Sequence, residues 1–117
     1  MSPESKFPTA LEEAIIALNW LENKGSSLEN ISLCGDSAGA HLAASVTHHL
    51  ADNKRPNVHS QFLIYPMCDP KCNSQSIELF QTGYLLTKEA MIWFWEKFRK
   101  TSPVSYTHLT LPTIYSV

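Results

Sequence analysis

Gly35-Asp36-Ser37-Ala38-Gly39 spells G-x-S-x-G inside "ISLCGDSAGAHLAA", a spacing in which a serine hydroxyl can serve as a nucleophile. By composition alone, three fixed positions of this kind occur in a chain of this length roughly 4% of the time, so the pentapeptide needs context. The flanking residues provide it. An apolar run, "ISLC", ends just before Gly35, and an alanine-rich run begins at Ala38. Strand, sharp turn and helix together hold a serine Oγ out at the carboxyl edge of a sheet. Glycine at 35 and at 39 is then a steric requirement, because a side chain at either position is expected to collide with neighbouring backbone. The N–H of Ala38 points into the same space, where it and the helix dipole would stabilise a developing oxyanion.

Such a serine is a weak nucleophile at neutral pH until a histidine, oriented by a carboxylate, takes its proton. His41 lies one helical turn beyond Ser37, but its imidazole projects from the helix body while the serine points off the turn, so it is expected to be a packed or partly exposed helix residue. His48 and His49 fall near the far end of that helix and are expected at the surface. His59 precedes the second strand, at the edge opposite the serine. His108 satisfies the order Ser, Asp, His if Asp69 is the acid, yet it stands in a segment of different composition. Asp36 is expected to satisfy backbone N–H groups or cap the helix, and Asp69, in "YPMCDP", to hold a turn with Pro70. Ser37 is thereby left without a base.

The elements that would position this serine follow from periodicity. Thr9 and Glu12 have capping-box spacing, and Leu11, Ala14, Ile15, Leu18 and Leu21 repeat at helical spacing up to Gly25. "ISLC" reads as a buried strand, and residues 38–51 as a second helix with Leu42, Val46 and Leu50 on one face. Phe62, Leu63, Ile64 and Tyr65 form a second buried strand that Pro66 ends. Helix, strand, helix, strand is the order of an α/β fold with a mostly parallel sheet and crossover helices. Residues 67–84 read as irregular, and Thr87 as the N-cap of a third helix whose stripe is Met91, Phe94, Trp95 and Phe98. Ile92 and Trp93 widen that stripe, so this helix either packs on the domain or covers an apolar cavity.

At 117 residues, 44% hydrophobic and net charge -2, the chain is one domain with no electrostatic reason to bind nucleic acid or an anionic membrane. A small neutral ligand fits better. No apolar run is long enough to span a bilayer and "MSPESKFP" is not a signal peptide, so a cytoplasmic location is expected. The three cysteines, Cys34, Cys68 and Cys72, are expected to be reduced, and the last two lack further ligands at zinc-like spacing. No metal is expected. The last fifteen residues, "PVSYTHLTLPTIYSV", contain no Asp, Glu, Lys or Arg.

In this order, "SPESKFPTALEEAIIALNWL", "ISLCGDSAGAHLAA", "QFLIYPMCDP" and "GYLLTKEAMIWFWEKF" resemble the hormone-sensitive-lipase-like branch of the α/β hydrolases, the acetyl-esterase type also called α/β hydrolase fold-3. The resemblance implies hydrolysis of carboxylic esters with short acyl chains, through an acyl-serine intermediate and without a cofactor. It implies Ser37 as nucleophile, Ala38 as one oxyanion-hole donor, Gly35, Asp36 and Gly39 as the elbow, and Trp93 and Trp95 as part of the acyl pocket. The family's HGG-type motif has no counterpart in residues 1–34, and its acid and base come from loops beyond the third helix. Residues 1–101 are therefore expected to be the central part of the domain, incomplete at both ends, with 102–117 a non-family tail. Unpaired sheet edges and an inactive, poorly soluble chain follow from that expectation. Two alternatives share the elbow: an amidase or formamidase, and a non-catalytic ligand-binding protein on the same scaffold.

Overall fold

The computed structural model describes residues 2–99. Helix α1 (Thr9–Asn23) leads through a single 3-10 turn at Leu28–Asn30 into strand β1 (Ser32–Asp36). Helix α2 (Ala38–Asp52), strand β2 (Ser60–Ile64), a short helix α3 (Gln75–Leu79) and helix α4 (Lys88–Phe98) follow. The two strands are parallel, with Ser32 beside Ser60 and Asp36 beside Ile64, and α2 is the crossover between them. The partial α/β-hydrolase architecture expected from the sequence is thus present, and Ser37 lies at the carboxyl end of β1.

Helix α1 does not start as expected. Pro8 occupies the N-cap position and Thr9 is already helical, its N–H donating to the Lys6 carbonyl at 3.1 Å, so no capping box forms. The Glu12 N–H donates to the Pro8 carbonyl at 3.0 Å, so the first helical bond starts one residue earlier than the box requires. The other end is set by Gly25 at φ 95°, where the Gly25 N–H reaches Glu22 O and the Ser26 N–H reaches Leu21 O. That pair of bonds closes the helix in a left-handed turn that suits glycine. Helix α4 begins as expected, with Thr87 Oγ1 accepting from the Ala90 N–H at 3.2 Å. Helix α3, inside the stretch expected to be irregular, is tied forward by a Glu78–Lys88 ion pair.

Leu18, Leu28, Val46, Leu50 and Val58 form the core, with Leu11, Ile15, Leu33 and Leu42 packed around it. Most of these belong to the stripes of α1 and α2, joined by Leu28 of the 3-10 turn, Leu33 of β1 and Val58 just before β2. An Arg55–Glu22 ion pair joins the loop after α2 to α1. The strands, expected to be buried, are covered on one face only. Leu33, Gly35 and Leu63 face α2, whereas Cys34, Ile64 and Phe62, the last 67% exposed, line the opposite face. An apolar strand run matches a sheet that is covered on both faces, and among the described residues α2 is the helix that packs on it.

Candidate active site

The turn after β1 has the sharpness that the glycine pattern requires. Ser37 sits at φ 49° and ψ -115°, a region that non-glycine residues occupy only when the surroundings enforce it. Two bonds enforce it here. The Ser37 N–H donates to Ile64 O at 2.9 Å, pinning the turn to the end of β2, and its carbonyl accepts from the His41 N–H at 3.1 Å to open α2. A Cβ on Gly35 would lie 2.4 Å from the Gly39 carbonyl carbon and 2.7 Å from Ala40 N, so glycine is obligatory at 35. Gly39 departs from expectation: a Cβ there meets nothing within 4 Å. The close approach is one-sided, because Gly35 presses on the backbone of Gly39 while the Cβ direction of Gly39 faces open space.

Ala38 is the first residue of α2, and no side chain caps the helix start. Its N-terminal amides and the positive end of the helix dipole are therefore open to a ligand. Asp36, expected to cap this helix or satisfy backbone N–H groups, ends β1 with its side chain exposed. Asp69 does hold a turn, its Oδ1 accepting from the Lys71 N–H at 2.8 Å.

A cavity of about 410 Å³ opens beside the serine. Ser37, Ala38 and His41 form one side of it and Met67 another, while Trp93, Phe94, Trp95 and Phe98 of α4 supply an aromatic wall. Ser2, Pro3 and Lys97 complete the lining. Of the two tryptophans singled out in the sequence, Trp95 is 2% exposed and Trp93 half exposed, with Lys97 Nζ over its ring at 5.4 Å. Helix α4 thus covers a cavity and does not merely fill a core, and Ile92, Trp93 and Phe94 keep exposed surface.

His41 is buried, and its Nδ1 lies 2.8 Å from the Met67 carbonyl. A carbonyl only accepts, so Nδ1 carries the proton and Nε2 is left with its lone pair. That Nε2 is buried without a partner among the described residues. Trp95 and Phe98 meet the imidazole edge-to-face at 5.3 and 5.8 Å. Burial holds the imidazole below its ordinary pKa, and the Met67 hydrogen bond opposes this only in part. Only Nδ1 is committed, to Met67; among the described residues Nε2 accepts no hydrogen bond from Ser37 Oγ, so the ring is not engaged with the serine. His48 and His49, expected at the surface, are half-buried on α2, and His59 is exposed just before β2. His108 lies outside the described residues. Among the described residues, no imidazole or carboxylate is hydrogen-bonded to Ser37 Oγ.

The described cysteines are free thiols, and no three His, Cys, Asp or Glu side chains among the described residues gather as a metal site would require. Burial and the neighbouring Asp69 carboxylate push the Cys68 and Cys72 thiols up, which favours their protonated form. No described helix is long and apolar enough to cross a membrane.

With this geometry in view, comparison with known proteins places the chain. The family profile described as alpha/beta hydrolase fold matches residues 1–114. The ethyl acetate hydrolase of Pseudomonas putida is 30% identical over 105 residues, covering 84% of this chain and 32% of the enzyme. A gibberellin receptor of Arabidopsis thaliana is 30% identical over 103 residues, covering 83% of this chain and 30% of the receptor. Among solved structures, an esterase of Rhizomucor miehei superposes with a TM-score of 0.76 at 36% identity, covering 84% of this chain and 32% of the esterase. The chain spans about a third of the length of these relatives. An esterase of the bacterial hormone-sensitive lipase family superposes with a TM-score of 0.79 at 25% identity, covering 84% of this chain and 33% of that one. The chain belongs to the α/β hydrolase fold family.

Proposed function

We propose that the chain carries the nucleophile of a carboxylic ester hydrolase, with Ser37 as that nucleophile. The observation that carries this reading is the positive φ of Ser37 at the mouth of an apolar cavity. Backbone strain of this kind is retained where it aims a reacting group. Ser37 Oγ adds to the ester carbonyl, the Ala38 N–H and the start of α2 receive the oxyanion, and collapse of the tetrahedral adduct expels the alcohol. Water then releases the acid from the acyl-serine. Met67, Trp93 and Trp95 enclose a short acyl chain, in keeping with a relative named for ethyl acetate.

Proton transfer is the missing part. No imidazole among the described residues is hydrogen-bonded to Ser37 Oγ, and His41 Nδ1 has a main-chain carbonyl where a triad has a carboxylate, so we assign the base and its orienting acid to residues outside 2–99. The 117 residues alone are accordingly expected to turn over esters no faster than Ser37→Ala. Release of p-nitrophenol from short-chain p-nitrophenyl esters tests this. A burst in the parent chain that Ser37→Ala abolishes would overturn the inactivity and keep the nucleophile. A burst that survives Ser37→Ala would overturn the nucleophile itself. Running p-nitroanilides beside the esters separates the esterase from an amidase or formamidase, since both would share the elbow.

The relative that is a gibberellin receptor favours one other reading, a ligand-binding protein on this scaffold. Saturable binding of a small apolar ligand, with no covalent adduct at Ser37, is what that reading expects.

A further inference from the structure

His41 has no part in the chemistry proposed for Ser37, yet its ring joins three separate segments. It stands on α2, its Nδ1–H donates to the Met67 carbonyl on the loop after β2, and its faces and edges meet Trp95 and Phe98 on α4. All four residues line the cavity beside Ser37. We propose that His41 is a positioning residue, whose Nδ1–H bond to Met67 sets the wall of the cavity opposite the nucleophile.

Two further observations support this. The buried Nε2 lacks a partner among the described residues, a cost that an apolar side chain of similar size would not incur. Packing alone therefore does not account for a histidine here, whereas the single N–H to Met67 does. Tyr65, two residues before Met67, sits at φ 34°. A strained backbone persists when its surroundings over-determine it, and the His41–Met67 bond fixes the loop just past the strained residue. The inference concerns the cavity wall and holds whether or not Ser37 reacts.

A shape-matched pair of variants tests it. Asparagine places an amide N–H where His41 has Nδ1, and leucine has the same branching without a donor. The full chain is studied with Trp20→Phe, so that emission comes from Trp93 and Trp95, and is titrated with butyl 4-nitrophenyl ether, a non-hydrolysable quencher. His41→Asn is expected to bind the ether about tenfold more tightly than His41→Leu, the effect of one hydrogen bond to a carbonyl otherwise left unpaired. His41→Gln, whose amide sits one bond farther out, is expected to match His41→Leu, and it replaces that variant if leucine prevents folding. Binding by His41→Leu or His41→Gln as tight as by His41→Asn overturns the proposal, because side-chain bulk alone would then shape the wall. Absence of saturable quenching in the parent also overturns it.

Discussion

Gly35 and Gly39 stand so close that a Cβ built on the first falls 2.4 Å from the carbonyl carbon and the carbonyl oxygen of the second. The contact is backbone against backbone, with no flexible side chain to move aside. Gly35→Ala is expected to destabilise the chain by about 3 kcal/mol or more, at the upper end of overpacking effects. Gly39→Ala is expected to be neutral or to stabilise by about 0.5 kcal/mol, since its Cβ enters open space within a helix. Denaturant midpoints of the two variants check this, and equal losses would contradict it.

Strain at Ser37 leads to a second prediction. Glycine adopts φ 49° without the steric cost, so Ser37→Gly should raise stability by about 1 kcal/mol, whereas Ser37→Ala keeps the strain and should not. Both remove the hydroxyl. Urea unfolding of the two variants separates strain relief from loss of the side chain, and equal midpoints would show that Ser37 is unstrained.

Burial of His41 makes stability depend on pH. Its folded pKa lies below the ordinary histidine value, so as pH falls the unfolded chain binds a proton that the folded chain refuses. The contribution is complete above about pH 6.5, the unfolded value, and is lost as pH falls towards the folded one. His41→Asn removes this titration. Between about pH 7 and about pH 5 the parent should lose more stability than His41→Asn, by at most about 1.4 kcal/mol per pH unit. Parallel pH profiles would mean that the imidazole is protonated in place.

What could be read from sequence was local and repeated. Leu11, Ile15 and Leu18 mark α1, Leu42, Val46 and Leu50 mark α2, and Thr87 marks the start of α4 through a bond only three residues long. The elbow was legible because strand, glycines and helix are contiguous. The rest depended on distant packing, on an element too short to show a period, or on one neighbouring residue. "FLIY" could not reveal that only one face of β2 is covered, and the five residues of α3 are too few for helical periodicity to register. Thr9 and Glu12 had the spacing of a capping box, but Pro8 took the position that the box needs. His41 reads from sequence as a packed or partly exposed helix residue, but what it packs against does not, because Met67, Trp95 and Phe98 lie 26 or more residues away.

The claim at the centre of this account is that Ser37 is the residue the fold presents for attack on a carbonyl. Prolonged exposure of the chain to a p-nitrophenyl alkylphosphonate, followed by peptide mapping with mass spectrometry, tests it most directly. With no base on Ser37 the expected result is slow, partial phosphonylation confined to the peptide containing Ser37, and none at that peptide in Ser37→Ala. Modification spread over other serines and tyrosines with Ser37 untouched would contradict it.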